Sequence, residues 1–362
     1  MKILFLVPYP LHQAPSQRFR VELFLPALDK NKIEYSIQSF LDEAAWATLY
    51  KNGSTFSKLM GVIKGYARRW VKIVFGLGSY DFVFIHREAA PLGPPVFEWV
   101  ISKLFRKKII YDFDDAIWIP NTSAENKIVS WFKAFWKVKY ICKWAHLVVG
   151  GNDFLCKYAR QYNSNTVYIP TCVDTTDKHN RLTNHDAEKI TIGWTGSHST
   201  LKYLDELVPV IRELEMENNF EFIVISDKNP GYITSSFRFI PWNEKTEIED
   251  LQKINIGLMP LQDDDWSEGK CGFKLIQYMS LGIPALASPV GVNKKIIEQG
   301  ENGLLCSQQE DWKNGLNYLI HNKEERKRMG LSGRNKINKS YSLQAYAPVF
   351  IDLFRSDTDK RN

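Results

Sequence analysis

No run of about 18 consecutive apolar residues occurs in the sequence, so no segment reads as a helix that crosses a bilayer. The opening MKILFLVPYPL is short, carries two prolines and lacks a small-residue cleavage site, so it is read as a first strand and not as a leader. Cysteine is sparse. The five residues (142, 156, 172, 271 and 306) are odd in number and include no CxxC pair, which excludes a disulfide framework and fits a reducing cytoplasm better than secretion. There is no short-period repeat, no low-complexity segment and no nucleic-acid reading motif to accompany the basic residues. At 362 residues, 44% hydrophobic and 24% charged, the chain is an ordinary globular composition long enough for about two domains.

Charge of one sign is concentrated in one half. Residues 1–175 hold 23 Lys and Arg against 14 Asp and Glu, whereas residues 176–362 hold 24 against 27. An anionic surface or substrate would meet the basic half. Between Trp46 and Tyr80 there are six basic residues (Lys51, Lys58, Lys64, Arg68, Arg69, Lys72) and no acid. Phe56, Leu59, Met60, Ile63, Ala67, Trp70, Val71 and Val74 recur there at helical spacing. Such a segment is either an amphipathic helix lying on anionic lipid or a helix packed on a sheet with a solvated basic face. Residues 131–144 (WFKAFWKVKYICKW) repeat the theme with four lysines and no acid.

Strand and helix patterns alternate through both halves. Lys2 to Val7 reads as a strand and residues 17–28 as the helix that follows, with Arg18 and Arg20 in its first turn. Arginines at the positive end of a helix dipole are either solvated or meet an anionic partner. Strands at 81–85 and 108–113 run into His86-Arg87-Glu88 and Asp114-Asp115; such polar ends are either helix caps or the catalytic edge of an open sheet. Residues 147–150 and 166–170 continue the strands, and the polar stretch 173–189 reads as an interdomain connection. A second series begins at 190–194. The turn Thr195-Gly196-Ser197-His198-Ser199 opens a helix, 200–214, with Lys202 in its first turn, and further strands follow at 220–226, 237–240, 255–259, 285–288 and 304–306. The closing helix, 341–355, has an apolar face that would allow it to reach back to the first domain.

The most informative stretch is GKCGFKLIQYMSLGIPALASPVGVN, residues 269–293. A small-residue loop at 269–272 opens a helix at 273–281, which Gly282 and Pro284 stop. Unpaired N–H groups and the positive helix end suit a phosphate or a sugar hydroxyl. Lys274 and Gln277 share one face of that helix. On spacing alone, a capped core helix with a solvated lysine is an equal reading.

Four stretches together, PSQRFRVELFLPAL (15–28), YDFDDAIW (111–118), IGWTGSHSTLKYL (192–204) and 269–305, resemble the family-4 retaining glycosyltransferases of GT-B fold. The resemblance spans nearly the whole chain and is nearest to the enzymes that assemble bacterial surface polysaccharides. It implies an α/β chain of two doubly wound Rossmann-like domains facing across a cleft: residues 1–175 on the acceptor side, with 341–356 packed back on them, and residues 190–340 holding a nucleotide sugar. It implies that Gly196, Ser197, His198 and Ser199 cradle the diphosphate with Lys202. The amides of Lys270, Cys271, Gly272 and Phe273 and the Lys274 ammonium would approach phosphates or sugar, Gln277 would bond the ribose, and Trp242 would flank the base. Asp114 or Asp115 would orient a sugar or acceptor hydroxyl, with Arg18, Arg20, His86 and Arg87 on the acceptor side. The family's phosphate-binding Arg falls on Ser197, its two Glu residues on Gly269 and Gln277, and its His on Asp114, four departures from the pattern.

Departure of a diphosphate leaves negative charge that Lys202, Lys274 and helix N-termini would stabilise, so no nucleophile is required. No cofactor or metal is expected; the acidic runs DFDD and DDD (263–265) read as caps or charge runs. The expected partners are a nucleotide sugar, a lipid-linked or saccharide acceptor and an anionic membrane surface, at the inner face of the cell membrane. The alternatives are a nucleotide-sugar epimerase or hydrolase, and a non-catalytic nucleotide-sugar-binding subunit.

Overall fold

A computed structural model describes residues 1–49, 53, 55–120 and 133–355. The chain divides into two compact units, Met1–Pro170 with Tyr346–Asn362, and Thr171–Ala345. Each is built on a six-stranded, wholly parallel sheet. Parallel strands buried on both faces require near-continuous apolar runs. KILFLV, FVFIH, ITIGWT and FEFIVIS are such runs and become strands buried almost throughout.

The first sheet comprises β1 (Lys2–Val7), β2 (Glu34–Ser39), β3 (Phe82–His86), β4 (Lys108–Phe113), β5 (Leu147–Gly150) and β6 (Thr166–Tyr168), in the order β2-β1-β3-β4-β5-β6. β2 escapes the sequence reading because EYSIQS is an edge strand, partly exposed along its length, with no apolar run. The chain adds β2 on one side of β1 and then β3 on the other, so the strand order reverses between β1 and β3. Ligands of open α/β sheets bind beyond the carboxyl ends of strands at such a point. The expected helix 17–28 is three pieces, Pro15–Arg20, a 3-10 turn Glu22–Phe24 and Leu25–Lys30, broken where Val21 leaves helical geometry and Pro26 starts a new turn. From Tyr346 the chain belongs to this unit again; Phe350 stacks on Phe24 at 4.3 Å and Phe354 packs edge-on to Phe82.

The second sheet comprises β7 (Ile190–Thr195), β8 (Phe220–Ser226), β9 (Phe237–Pro241), β10 (Ile256–Met259), β11 (Ala285–Ala287) and β12 (Gly303–Leu305), in the order β12-β11-β10-β7-β8-β9. Its reversal falls between β7 and β10. The expected helix 200–214 is divided into Leu201–Asp205 and Val208–Glu217, with Pro209 opening the second piece. The stretch 173–189, expected as a connection, is an ordered part of this unit. Arg334 donates to the carbonyls of Thr175, His179 and Ser280, and the Thr183 amide donates to Leu281. A guanidinium with five donors gathers backbone carbonyls that no strand satisfies.

The helix Thr55–Gly76 inverts the expected arrangement. Three of its basic residues turn inward while Lys64 stays exposed: Arg69, 1% exposed, donates to the carbonyls of Val7, Gln38 and Ala89, Arg68 to Phe40 and Asp42, and Lys72 to the Tyr80 hydroxyl. Strand-end carbonyls take these donors, and the apolar face is left outside. Phe56, Leu59, Met60, Ile63, Val71, Val74 and Phe75 are 46–84% exposed. In the second basic segment one lysine behaves likewise: Lys137 is buried, bonding Glu88 at 2.6 Å and the Ala90 carbonyl, whereas Lys143 is exposed. Lys51, Trp131 and Phe132 lie outside the described residues. No described helix is long and apolar enough to cross a membrane.

Candidate functional site

In the second unit, β7 ends at Thr195, whose amide donates to the buried Tyr278 hydroxyl at 2.9 Å. The chain then turns at Gly196. A Cβ there would lie 2.5 Å from the Trp194 ring and 2.9 Å from Cε of Lys274, so only glycine lets the lysine stem pass. Lys274 comes from the first turn of the helix Phe273–Ser280, and its Nζ stands 5.3 Å from the Trp194 ring centroid. That helix is entered through Gly272 in left-handed geometry, φ 69°, where a Cβ would fall 2.3 Å from Ile296. Two small-residue corners thus meet beside the point where the strand order reverses.

The rest of the 195–202 turn is ordered by its own bonds. Ser197 and Ser199 hydroxyls are 2.8 Å apart, and His198 donates its amide to Asp227 at 2.6 Å with Nδ1 at 2.5 Å from the same carboxylate. Burial pushes the Asp227 carboxyl up, but the bonds from His198 outweigh it and hold it below the usual range. Lys202 is exposed, with Nζ 4.9 Å from the Tyr203 ring, and Lys270 lies 4.8 Å from the Trp266 ring. Cys271 is buried. Gln277, 2% exposed, donates to Glu247 at 3.3 Å, and the Trp242 indole donates to the same oxygen at 3.3 Å. The acidic run 263–265 contains a helix cap: Asp264 accepts from the Ser267 amide at 2.7 Å.

In the first unit, polar groups gather at the reversal between β1 and β3. Ser16 Oγ is 2.9 Å from His86 Nε2, and His86 Nδ1 is 2.7 Å from Asp112 Oδ2. Arg20 clasps Asp112 through both Nε and Nη2 and donates to the Ile169 carbonyl. At 2% exposed, Arg20 is an anchor for Asp112 and not the open acceptor-side cation expected from the sequence. Arg87 holds left-handed backbone geometry, φ 61°, with its amide bonded to the Asp112 carbonyl, and its guanidinium reaches Asp114 at 3.0 Å and Asp115. Burial alone would raise Asp114, but Arg87, His86, Ser16 and Arg20 together hold it well below the usual carboxylate range. The same two aspartates raise Arg87 against its burial. Arg18 lies partly exposed on the same turn, its guanidinium 5.2 Å from the Phe19 ring.

Residues 175–336 match the family model described as glycosyl transferases group 1. The second unit carries a group 1 glycosyl transferase region. Solved structures of similar fold include sucrose-phosphate synthase from Thermosynechococcus elongatus, at TM-score 0.71 and 14% identity over 98% of both chains. HepE from Anabaena, solved with UDP-glucose, follows at 0.69 and 14% over 98% of this chain and 99% of its own. The lipopolysaccharide outer core galactosyltransferase WaaB, in its apo form, scores 0.61 at 14% over 97% and 98%. These likenesses establish the GT-B-like fold, two parallel six-stranded sheets with helices. Among curated proteins, none matches the sequence.

Within the two units, the structure joins Gly196 to Lys274, Gln277 to Trp242 through Glu247, and His86 and Arg87 to the aspartates of YDFDD. It gives Lys202 its own exposed position at the start of the Leu201–Asp205 helix. Ser16, Asp112, Glu247, Asp227 and Tyr278 were not singled out in the sequence. Asp112 had a signal, since two-residue spacing along β4 puts it on the same side as Asp114. Glu247 had none, because it opens a short helix, Glu247–Leu251, that is ordinary in composition.

Proposed function

We propose that the protein transfers a sugar from a nucleotide-diphosphate donor to a lipid-linked or saccharide acceptor in cell-surface glycan synthesis, with retention at the anomeric carbon. The observation that carries the reading is the meeting of Gly196 with Lys274 beside the β7–β10 reversal. There the N-terminus of the Phe273–Ser280 helix and the Lys274 ammonium would meet an anion, whereas the Lys270 amide is already bonded to the Ser267 carbonyl. As the sugar–phosphate bond breaks, Lys274 and Lys202 stabilise the leaving diphosphate, assisted by the hydroxyls of Ser197 and Ser199. The carboxylate that the resemblance misses at Gln277 is present in space as Glu247, so Gln277 and Glu247 together serve the ribose and fix Trp242 beside the base. Asp114, held in its ionised form chiefly by Arg87, and Asp115, which the same guanidinium reaches, orient a sugar or acceptor hydroxyl. UDP is the favoured nucleotide, a reading supported by the UDP-glucose bound to HepE, a protein of the same fold. A thermal-shift screen against UDP-, GDP-, CMP- and dTDP-sugars tests it, because bound ligand raises apparent stability with affinity. The expected outcome is a shift with a UDP-sugar that Lys274→Ala abolishes; equal shifts in both proteins refute the phosphate site.

The proposed place of work is an anionic membrane surface at the cytoplasmic side. The contact is made less by basic side chains than by the apolar outer face of Thr55–Gly76, a contiguous patch of the kind that marks a docking surface. An apolar groove of about 270 Å3 between Pro94, Trp99, Trp136 and Trp144 adds aromatic rings of the sort that settle at a bilayer interface.

A further inference from the structure

The apolar groove of the first unit is shaped for something narrower than broad contact with a bilayer. Trp136, Tyr140 and Trp144 recur every fourth residue, so they run along one side of the helix Lys137–Trp144, with successive ring centroids 5.6 and 5.8 Å apart. The same helix already fills the core with Val138, Ile141 and Cys142. Core packing therefore does not use the row of rings. Val96 and Trp99 of the helix Val96–Trp99 line the groove with them. Val96, Trp99, Trp136 and Tyr140 are 38–51% exposed. The groove, about 270 Å3, has room for about nine groups the size of a water molecule at about 30 Å3 each. A methylene group is close to that size, so the space suits one hydrocarbon segment and not a pair of acyl chains.

The surrounding charge indicates the kind of chain. Within 94–111 and 133–150 the one acid is Glu98, 2% exposed, whereas Lys103, Arg106 and Lys143 are exposed. Ser102 donates to the Trp144 carbonyl, which brings Lys103 and Lys143 to the same end of the groove. An apolar cleft among cations complements an anionic amphiphile. The start of the Lys137–Trp144 helix is tied beside the polar end of β3: Lys137 bonds the Glu88 carboxylate at 2.6 Å and the Ala90 carbonyl at 2.8 Å. We propose that the groove seats the hydrocarbon chain of a lipid-linked acceptor whose anchor carries phosphate, an inference that rests on the transferase reading above for the acceptor's role. The carbons nearest the phosphate lie against Trp99 and Trp136, and the rest of the chain stays in the bilayer, whose anionic surface draws Lys103 and Lys143. The seat lies wholly within the first unit.

The test is titration calorimetry of the full chain with butyl, hexyl, octyl, decyl and dodecyl phosphate, each below its micelle concentration. Affinity is expected to rise about two- to fourfold per added CH2 and to level off near about nine carbons, as a seat of this size fills. Trp99→Ala with Trp136→Ala weakens decyl phosphate at least about 10-fold and leaves UDP affinity within about twofold of wild type. The serine variant of Phe56, Ile63 and Phe75, which removes the separate helix face, leaves decyl phosphate affinity within about twofold. If the double alanine variant does not fold, Trp136→Ala decides alone. Unchanged decyl phosphate affinity in these tryptophan variants, or affinity that climbs evenly through dodecyl phosphate, overturns the seat. Equal or tighter binding of the two-chain dihexanoyl phosphatidylglycerol, or of decyltrimethylammonium, overturns the assignment to a single-chain anionic anchor. Self-association of the wild-type chain that the double variant dissolves, with no alkyl phosphate bound, makes the groove an interface between copies and overturns the seat as well. Decyl phosphate binding of the expected kind by a wild-type chain that takes up neither UDP nor a UDP-sugar supports the seat and overturns the transferase reading, and with it the acceptor's role.

Discussion

Gly196→Ala, studied with and without Lys274, is the sharpest probe of the donor corner. Gly196 is not among the positive-φ residues, so alanine adopts its backbone without strain and the whole effect lies in contacts. The new Cβ sits 2.5 and 2.6 Å from two atoms of the Trp194 ring and 2.9 Å from Lys274 Cε. Trp194 is 1% exposed and fixed in the core, so stability falls by about 1–3 kcal/mol, the usual cost of overpacking. Lys274 is the softer neighbour and moves. Loss of a charged hydrogen bond to the nucleotide is worth about 1.5–3 kcal/mol, so Lys274→Ala weakens UDP binding about 10- to 100-fold. Gly196→Ala alone weakens binding by about 1 kcal/mol through that displacement, but in the Lys274→Ala background it changes affinity by less than about 0.5 kcal/mol, since no ammonium remains to displace. Urea unfolding reports the stability term, and titration calorimetry with UDP reports the binding term. Additive effects on UDP affinity would mean that the two corners do not share a ligand.

Gly272→Ala is expected to cost at least about 2 kcal/mol in urea unfolding, because it combines left-handed strain with a Cβ 2.3 Å from Ile296. Arg20→Met leaves the buried Asp112 carboxylate without its main cation and lowers stability by about 3–5 kcal/mol, part of which Asp112→Leu recovers in the double variant. His179, pushed down to about 4 by burial, refuses a proton that the unfolded chain accepts below about 6.5. Stability is therefore complete above about pH 6.5 and falls as pH drops toward 4, by up to roughly 3 kcal/mol, and His179→Gln flattens Tm across that window. Replacing Phe56, Ile63 and Phe75 together by serine is expected to abolish flotation with phosphatidylglycerol–phosphatidylcholine vesicles; unchanged flotation would refute the membrane contact.

The elements that the sequence made legible were those whose residues face one environment along their length. Continuous apolar runs gave most of the strands, and Gly272 with Gly282 bounded the Phe273–Ser280 helix because no other residue fits those turns cheaply. β2 stayed hidden because an edge strand needs no apolar run. The orientation of Thr55–Gly76 was misread because pattern alone shows that a helix has two faces and not which one packs. That choice was made by unsatisfied carbonyls of Val7, Gln38 and Ala89, groups far away in sequence. The site was legible to the extent that it lies in contiguous motifs. Ser16 with His86, and Gln277 with Glu247, are 70 and 30 residues apart, and only folding makes them neighbours.

The outward apolar face of Thr55–Gly76 also sets how the protein behaves once removed from its surroundings. Seven large side chains standing in water along one helix offer adhesion to any greasy surface, including the same helix on another molecule. Dilute or detergent-containing buffers keep such molecules apart, and concentrating them without lipid drives clumping that reports on this face and says nothing of instability in either sheet.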